Sequence, residues 1–331
     1  MQYRTLGRTG LRVSVVALGA GPVSGLMTGD DAERQTAVVE RALSAGINWI
    51  DTAAGYGQGQ SEASLGRALQ TLNADSRLHV ATKVRMSPDG AARTADEVRR
   101  SFASSLQRLQ LNKVTLLQLH NAITPERGSE AASISPDDVL KTGGVLDAFE
   151  SLRDEGLIDF IGLTGTGQPD ALRTVLHSGR IDTVQVPYHL LNPSAGRSMP
   201  AGFAETDFGN IFSDCQTLNV GVFAIRVFAA GALLGNPPSA HTKVTPYFPL
   251  ALYERDCALA DRVSTALHVP GLKDLAVRYV LSHPALASAI IGCGTAHEVG
   301  EAAAIAEQGS LSPEQVRDID SIVDRESARQ H

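Results

Sequence analysis

Short apolar runs alternate with amphipathic helical stretches along almost the whole chain, and this alternation constrains the fold more than any other feature. Apolar runs at 13–18, 49–51, 80–83, 114–120, 160–164, 184–187, 220–225 and 288–292 read as strands buried on both faces. Helical spacing fills 31–45, 61–69, 94–109, 145–155, 169–178, 210–218 and 272–281, and a last helix starts at Ser312-Pro313-Glu314, a serine cap with proline at the first helical position. Repeated strand–helix–strand units imply parallel strands with helical crossovers, and eight of them can close into a (β/α)8 TIM barrel. A short hairpin around Gly7–Gly10 precedes the first unit. The rival is a doubly wound open sheet, which would open a helix directly on a glycine fingerprint. The stretch Leu18-Gly-Ala-Gly-Pro-Val-Ser-Gly offers the spacing, but Pro22 and the polar residues after it do not begin a helix.

All 331 residues fit one such domain, 1–331, with no linker or low-complexity tract inside it. A net charge of −7 argues against nucleic acid or an anionic membrane as partner, and no apolar run is long enough to span a bilayer. The N-terminus has no signal-peptide core, and Cys215, Cys257 and Cys293 lie far apart without a histidine pair, so free thiols in a reducing, cytoplasmic setting are expected, with no metal site. Three connections are long: 121–144, 190–209 and 228–253, the last followed by an added helix over 257–268. All three leave the C-terminal ends of strands, the face on which barrels build their sites.

Four polar residues fall at the ends of consecutive strands on that face. Asp51 ends the second strand, Tyr56 follows it between Gly55 and Gly57, Lys83 ends the third, and His120 ends the fourth. Barrel closure brings such ends together. The set makes chemical sense: an unperturbed tyrosine has a pKa near 10, a neighbouring ammonium favours its phenolate, an acid keeps that ammonium charged, and a histidine hydrogen-bonds the same substrate oxygen.

With these residues in order, the chain resembles the aldo-keto reductase family over nearly its whole length. The motifs are Asp-Thr-Ala-x-x-Tyr-Gly from Asp51, Ser-Glu-x-x-Leu-Gly-Arg-Ala-Leu from Ser61, Thr82-Lys83, Leu-Leu-Gln-Leu-His ending at His120, Gly-Leu-Ile-Asp-Phe-Ile-Gly-Leu, Val-Gln-Val-Pro-Tyr around Gln185, and Ala-Ala-Gly-Ala-Leu around Gly231. The resemblance implies a barrel using NAD or NADP to move a hydride to or from a small aldehyde, ketone or aldose. In it Tyr56 is the general acid/base, Lys83 and Asp51 tune it, and His120 orients the carbonyl. It also implies that Gln185 binds the nicotinamide carboxamide and that Thr164 keeps a hydroxyl contact, although Gly165 stands where an asparagine is usual.

The remaining contacts depart further from the family pattern. Ile225 takes the place of a ring-stacking tyrosine, and Arg226 reads either as a new phosphate or carboxamide contact or as an internal ion-pair partner. The amides of Ala230, Gly231 and Leu233 are expected at the pyrophosphate. Gly292, Gly294, Thr295 and Glu298 are expected at the adenosine, where Glu298 would repel a 2′-phosphate and shift the expectation toward NAD or dual use. Trp49, Asn121 and Tyr188 are candidates for the substrate pocket, with Asn121 equally suited to a turn and Tyr188 to packing at the barrel rim. A different class, a cofactor-binding regulatory subunit with vestigial turnover, would be under no chemical requirement to keep all four polar residues. The oligomeric state is not readable from the chain.

Overall fold

The computed structural model describes residues 1–74, 76–87, 94–200, 202–203 and 205–328. An antiparallel hairpin, β1 (Tyr3–Thr5) and β2 (Arg12–Ser14), precedes eight strands: β3 (Val16–Gly19), β4 (Trp49–Asp51), β5 (His79–Val84), β6 (Val114–Leu119), β7 (Ile158–Thr164), β8 (Thr183–Pro187), β9 (Gly221–Ile225) and β10 (Leu286–Gly292). These eight are parallel and follow one another around a closed barrel, β10 pairing back onto β3. The expected run at 13–18 is therefore two elements. Val13 belongs to the hairpin, and the barrel strand starts at Val16.

The helices are α1 (Ala32–Ser44), α2 (Gln60–Leu72), α3 (Thr94–Leu109), α4 (Pro136–Leu140), α5 (Val145–Asp154), α6 (Pro169–Leu176), α7 (Ile211–Thr217), α8 (Leu250–Ala266), α9 (Lys273–Ser282), α10 (Ala296–Glu307) and α11 (Pro313–Ala328). The added helix after the third long connection starts seven residues earlier than the expected 257. Two helices had no expectation attached, α4 within the first long connection and α10 after the last strand. The run of alanines in α10 blurs its apolar face, and its Thr295 cap looks like a loop residue.

Side chains inside the barrel stack in layers, because alternate residues of each strand point inward. One layer contains Ala17, Trp49, Ala81, Leu116 and Phe223. Leu6 and Val13 of the hairpin join this cluster and close the barrel at the N-terminal ends of the strands. The larger cluster lies between strands and helices, with Phe102, Phe149 and Phe212 fully buried.

Candidate active site

Two residues beyond the apolar layer, the same strands carry polar side chains, so the period-two alternation alone places Asp51 above Trp49, Lys83 above Ala81 and Gln118 above Leu116. Lys83, 1% exposed, donates to one oxygen of Asp51 and to the Thr52 carbonyl at 2.8 Å, and its Nζ lies 3.3 Å from the Tyr56 hydroxyl. The other Asp51 oxygen accepts from Gln118 Nε2 at 3.0 Å and from Gln185 Nε2 at 2.5 Å. Burial works against the Lys83 ammonium, but Asp51 and then Tyr56 outweigh it and hold its pKa above the ordinary lysine value.

The turn carrying Tyr56 is built for position. Gly57, Gln58 and Gly59 all have positive φ, and a Cβ on Gly59 would sit 2.6 Å from the Arg108 side chain, so only glycine fits there. Ser61 Oγ, at the start of α2, donates to the Ala20 carbonyl at 2.7 Å and shares a hydrogen bond with Thr52, pinning the helix to β3 and β4. Behind it Glu62 is fully buried, accepting from Thr82 at 2.5 Å and from Arg108 Nε at 2.7 Å.

His120 meets the Tyr56 ring edge-on at 5.5 Å between centroids. Burial, then the charges of Lys83 and Arg85, press its pKa well below the usual imidazole value, so it is neutral at physiological pH. The structure thus brings Asp51, Tyr56, Lys83 and His120 into one cluster at the C-terminal mouth. Gln118 belongs to the cluster and has no role in the sequence reading. Its signal was available, since it precedes His120 by two on an inward-facing strand.

The three pocket candidates lie elsewhere. Trp49 is 0% exposed and packs on Phe223 and His79, one layer below the polar set. Asn121 and Tyr188 follow inward-facing His120 and Pro187, so alternation turns both outward. Asn121 braces the first long connection, bonding Met86 through both backbone groups and the Ala132 carbonyl at 2.8 Å. Tyr188 stacks on Tyr279 and packs against Phe212 and His283, outside the barrel wall. None of the three lines the mouth.

Among the cofactor candidates, the Thr164 hydroxyl is buried without a hydrogen-bond partner at an inward-facing position, an orphan that a bound amide would satisfy. Gln185 has committed its amide nitrogen to Asp51, which leaves its carbonyl oxygen for a ligand. Ile225 ends β9, half-buried at the inner face. Arg226 resolves to the internal alternative: its guanidinium lies over the Phe248 ring at 3.9 Å and 4.0 Å from buried Asp256.

Beyond Arg226, Ala229, Ala230 and Gly231 all have positive φ, an αL run of the kind that lines anion sites. Within it, however, the Gly231 and Leu233 amides both donate to the Phe228 carbonyl, so these two do not offer the free donors expected of them. A Cβ on Gly231 would meet nothing nearer than Asn236 at 3.5 Å, which leaves the turn open to a ligand.

A cleft of about 520 Å³ lies beside this turn, lined by Leu233, Asn236, Lys273, Gly292, Thr295 and Glu298 among others. Thr295 caps α10, and Glu298 accepts from the Gly294 amide at 2.6 Å, so a carboxylate already faces the donors of this helix start. Two cations are nearby: Lys273 lines the cleft and is paired with Glu301 at 2.6 Å, and the Arg34 guanidinium lies beside Gly294, 3.8 Å from where a Cβ would stand. The orphaned Thr164 hydroxyl, the open αL turn and the cleft beside it fit a dinucleotide. Among the described residues no group of three or more His, Cys, Asp and Glu side chains could hold a metal ion, and no helix is long and apolar enough to cross a membrane.

A sequence model of the Aldo/keto reductase family matches residues 16–324. The chain belongs to the aldo/keto reductase family. It is an oxidoreductase by that membership, and the family uses NAD(P)H. This family member is 31% identical over 324 residues to L-galactose dehydrogenase of Arabidopsis thaliana, covering 95% of this chain and 91% of that protein. It is 30% identical over 258 residues to D-threo-aldose 1-dehydrogenase of a Pseudomonas species, covering 69% and 70% of the two chains. The holo form of an aldo-keto reductase from Bacillus halodurans shares the fold with a TM-score of 0.73 at 24% identity, covering 97% of this chain and 96% of the other.

Proposed function

We propose that this family member oxidises aldoses or reduces small aldehydes and ketones with a nicotinamide cofactor, with Tyr56 as the general acid/base. The observation that carries the reading is the Tyr56 hydroxyl 3.3 Å from a lysine that is itself locked to Asp51. A bound nicotinamide supplies or accepts the hydride at the substrate carbon. In reduction Tyr56 gives its phenolic proton to the oxygen of the carbonyl. In oxidation the phenolate takes the alcohol proton back. Lys83 stabilises the phenolate of either direction, and each pKa unit of such stabilisation is worth about 1.4 kcal/mol. Asp51 keeps Lys83 charged and aimed, and neutral His120 hydrogen-bonds the substrate oxygen without becoming a competing acid.

Thr164, the Gln185 carbonyl oxygen, Ile225 and the αL turn at Gly231 would hold the nicotinamide half and the pyrophosphate. Gly292, Gly294, Thr295 and Glu298 would hold the adenosine. Glu298 on the Gly294 amide favours free ribose hydroxyls over a 2′-phosphate, which supports NAD or dual use. Aldoses are favoured as substrates because the two relatives above, over two-thirds or more of this chain, are named for sugar oxidation.

The test is a nicotinamide absorbance screen pairing NADH and NADPH with aldehydes, and NAD and NADP with aldoses. Turnover that depends on Tyr56 is expected, strongest for NAD with an aldose. An absorbance unchanged by every pair would overturn the reading, and a preference for NADP above tenfold in kcat/KM would overturn its NAD part.

A further inference from the structure

Arg85 follows Lys83 by two residues at the end of β5, so the same alternation sends its side chain inward, one step nearer the mouth. Its guanidinium lies 4.2 Å from the centre of the Tyr247 ring and donates to the Tyr247 hydroxyl, and a second nitrogen reaches the His120 carbonyl at 3.4 Å. Both oxygen partners are uncharged. The Nε is buried with no acceptor, and among the described residues no carboxylate comes within ion-pair distance of this arginine. Lys83, one step deeper, is fully matched by Asp51. Burial pulls the Arg85 pKa below the ordinary value, opposed by Tyr247 and then Tyr56, as expected of a cation in a partly desolvated place. A half-buried guanidinium remains charged, and a charge in such a place is costly until an anion meets it.

The segment above it is suited to yield. Tyr247 is 40% exposed and Val244 78% exposed, and the rings of Tyr247 and Phe248 rest on the guanidinium groups of Arg85 and Arg226. Over Arg85 its contact is a part-exposed ring on a cation, weaker than apolar burial, while the Phe248–Arg226 contact lies deeper.

From this geometry we infer that Arg85 is a substrate anion site: the protein takes small carbonyl or sugar substrates that carry a carboxylate, which pairs with the Arg85 guanidinium while the reacting carbonyl meets Tyr56. The planar edge formed by Nε and a terminal nitrogen matches a carboxylate with two parallel hydrogen bonds, and reaching Nε requires the Tyr247 ring to move aside. The substrate class rests on the oxidoreductase reading above; the anion site itself does not.

Two measurements test it separately. The first compares kcat/KM for 4-oxobutanoate with that for butanal, an aldehyde of the same length without the carboxylate. The wild type is expected to favour 4-oxobutanoate by about tenfold or more, the ratio falling toward one in Arg85→Gln and remaining partly in Arg85→Lys. The second titrates succinate into the protein by calorimetry, without turnover, and expects binding that Arg85→Gln abolishes and Arg85→Lys retains in part. A ratio equal in wild type and Arg85→Gln overturns the proposal, as does succinate that fails to bind the wild type or binds the Gln variant as well. If neither aldehyde is turned over, the screen of cofactors against aldoses decides the oxidoreductase reading and the succinate titration decides the anion site.

Discussion

Lys83 lies 3.3 Å from the Tyr56 hydroxyl while its ammonium is bound to Asp51 on the adjacent strand. The cation is fixed before any substrate arrives, so the electrostatic stabilisation of a phenolate needs no rearrangement when the proton moves. The same ion pair has a structural task, since both members are buried. The variants below separate these two roles.

Tyr56→Phe deletes the hydroxyl and leaves the ring on His120. Steady-state turnover is expected to fall by about 10³-fold, within the range for loss of a general acid/base. Cofactor affinity, read by fluorescence titration, should be nearly unchanged. Turnover within threefold of wild type would remove Tyr56 from the chemistry.

Asp51→Asn leaves a buried ammonium without its counter-charge. Breaking one side of a buried pair costs about 3–5 kcal/mol. Denaturant unfolding should therefore show a clear loss of stability in this variant and little in Tyr56→Phe, although both lose activity. Equal stability in the two variants would mean that the Asp51–Lys83 pair carries no folding energy.

His120 refuses a proton that the unfolded chain accepts near pH 6.5, because burial and two neighbouring cations depress its pKa. Its contribution to stability is therefore complete above that pH and is lost as the pH falls below it. Relative to His120→Ala, the wild type should lose melting temperature between pH 7 and 5. At pH 7.5 the variant should lose at least about tenfold in kcat with a small change in Tm. A Tm loss that matches the activity loss would make the histidine a packing residue.

Glu298→Ala removes the carboxylate from the Gly294 amide in the cleft proposed to hold the adenosine. The ratio of NADP to NAD affinity, measured by quenching of protein fluorescence, is expected to rise about tenfold. An unchanged ratio would remove Glu298 from cofactor choice.

Asp256 lies buried near Arg226, and burial together with the Glu205 carboxylate pushes its pKa up to about 7, against the pull of Arg226 and Arg255. With a folded pKa above the unfolded one, the folded chain holds a proton that the unfolded chain releases near pH 4. Raising the pH from 4 to 7 thus destabilises the wild type relative to Asp256→Asn, and the difference levels off above pH 7. Thermal melts across that range would show it; parallel Tm curves for the two proteins would contradict it.

The eight units, the hairpin and the four strand-end polar residues were legible in the sequence because each rests on local pattern: an apolar run, a helical period, a glycine-flanked tyrosine. A parallel barrel strand is apolar on both faces, so the chain does not mark which residues point inward. Closure of the barrel decided that, turning Asn121 and Tyr188 outward, leaving Trp49 one layer too deep, and setting Gln118 beside Asp51. Partners far apart in sequence were also a matter for the tertiary structure. It paired Arg226 with Asp256, took Gln185 to Asp51, and left Arg85 at the mouth with Tyr247 over it. Residue types and spacings by themselves determined the barrel and placed Tyr56 among polar strand ends; only folding, by bringing distant strands and loops to one place, decided which groups surround that tyrosine and left Arg85, among the described residues, without a carboxylate partner.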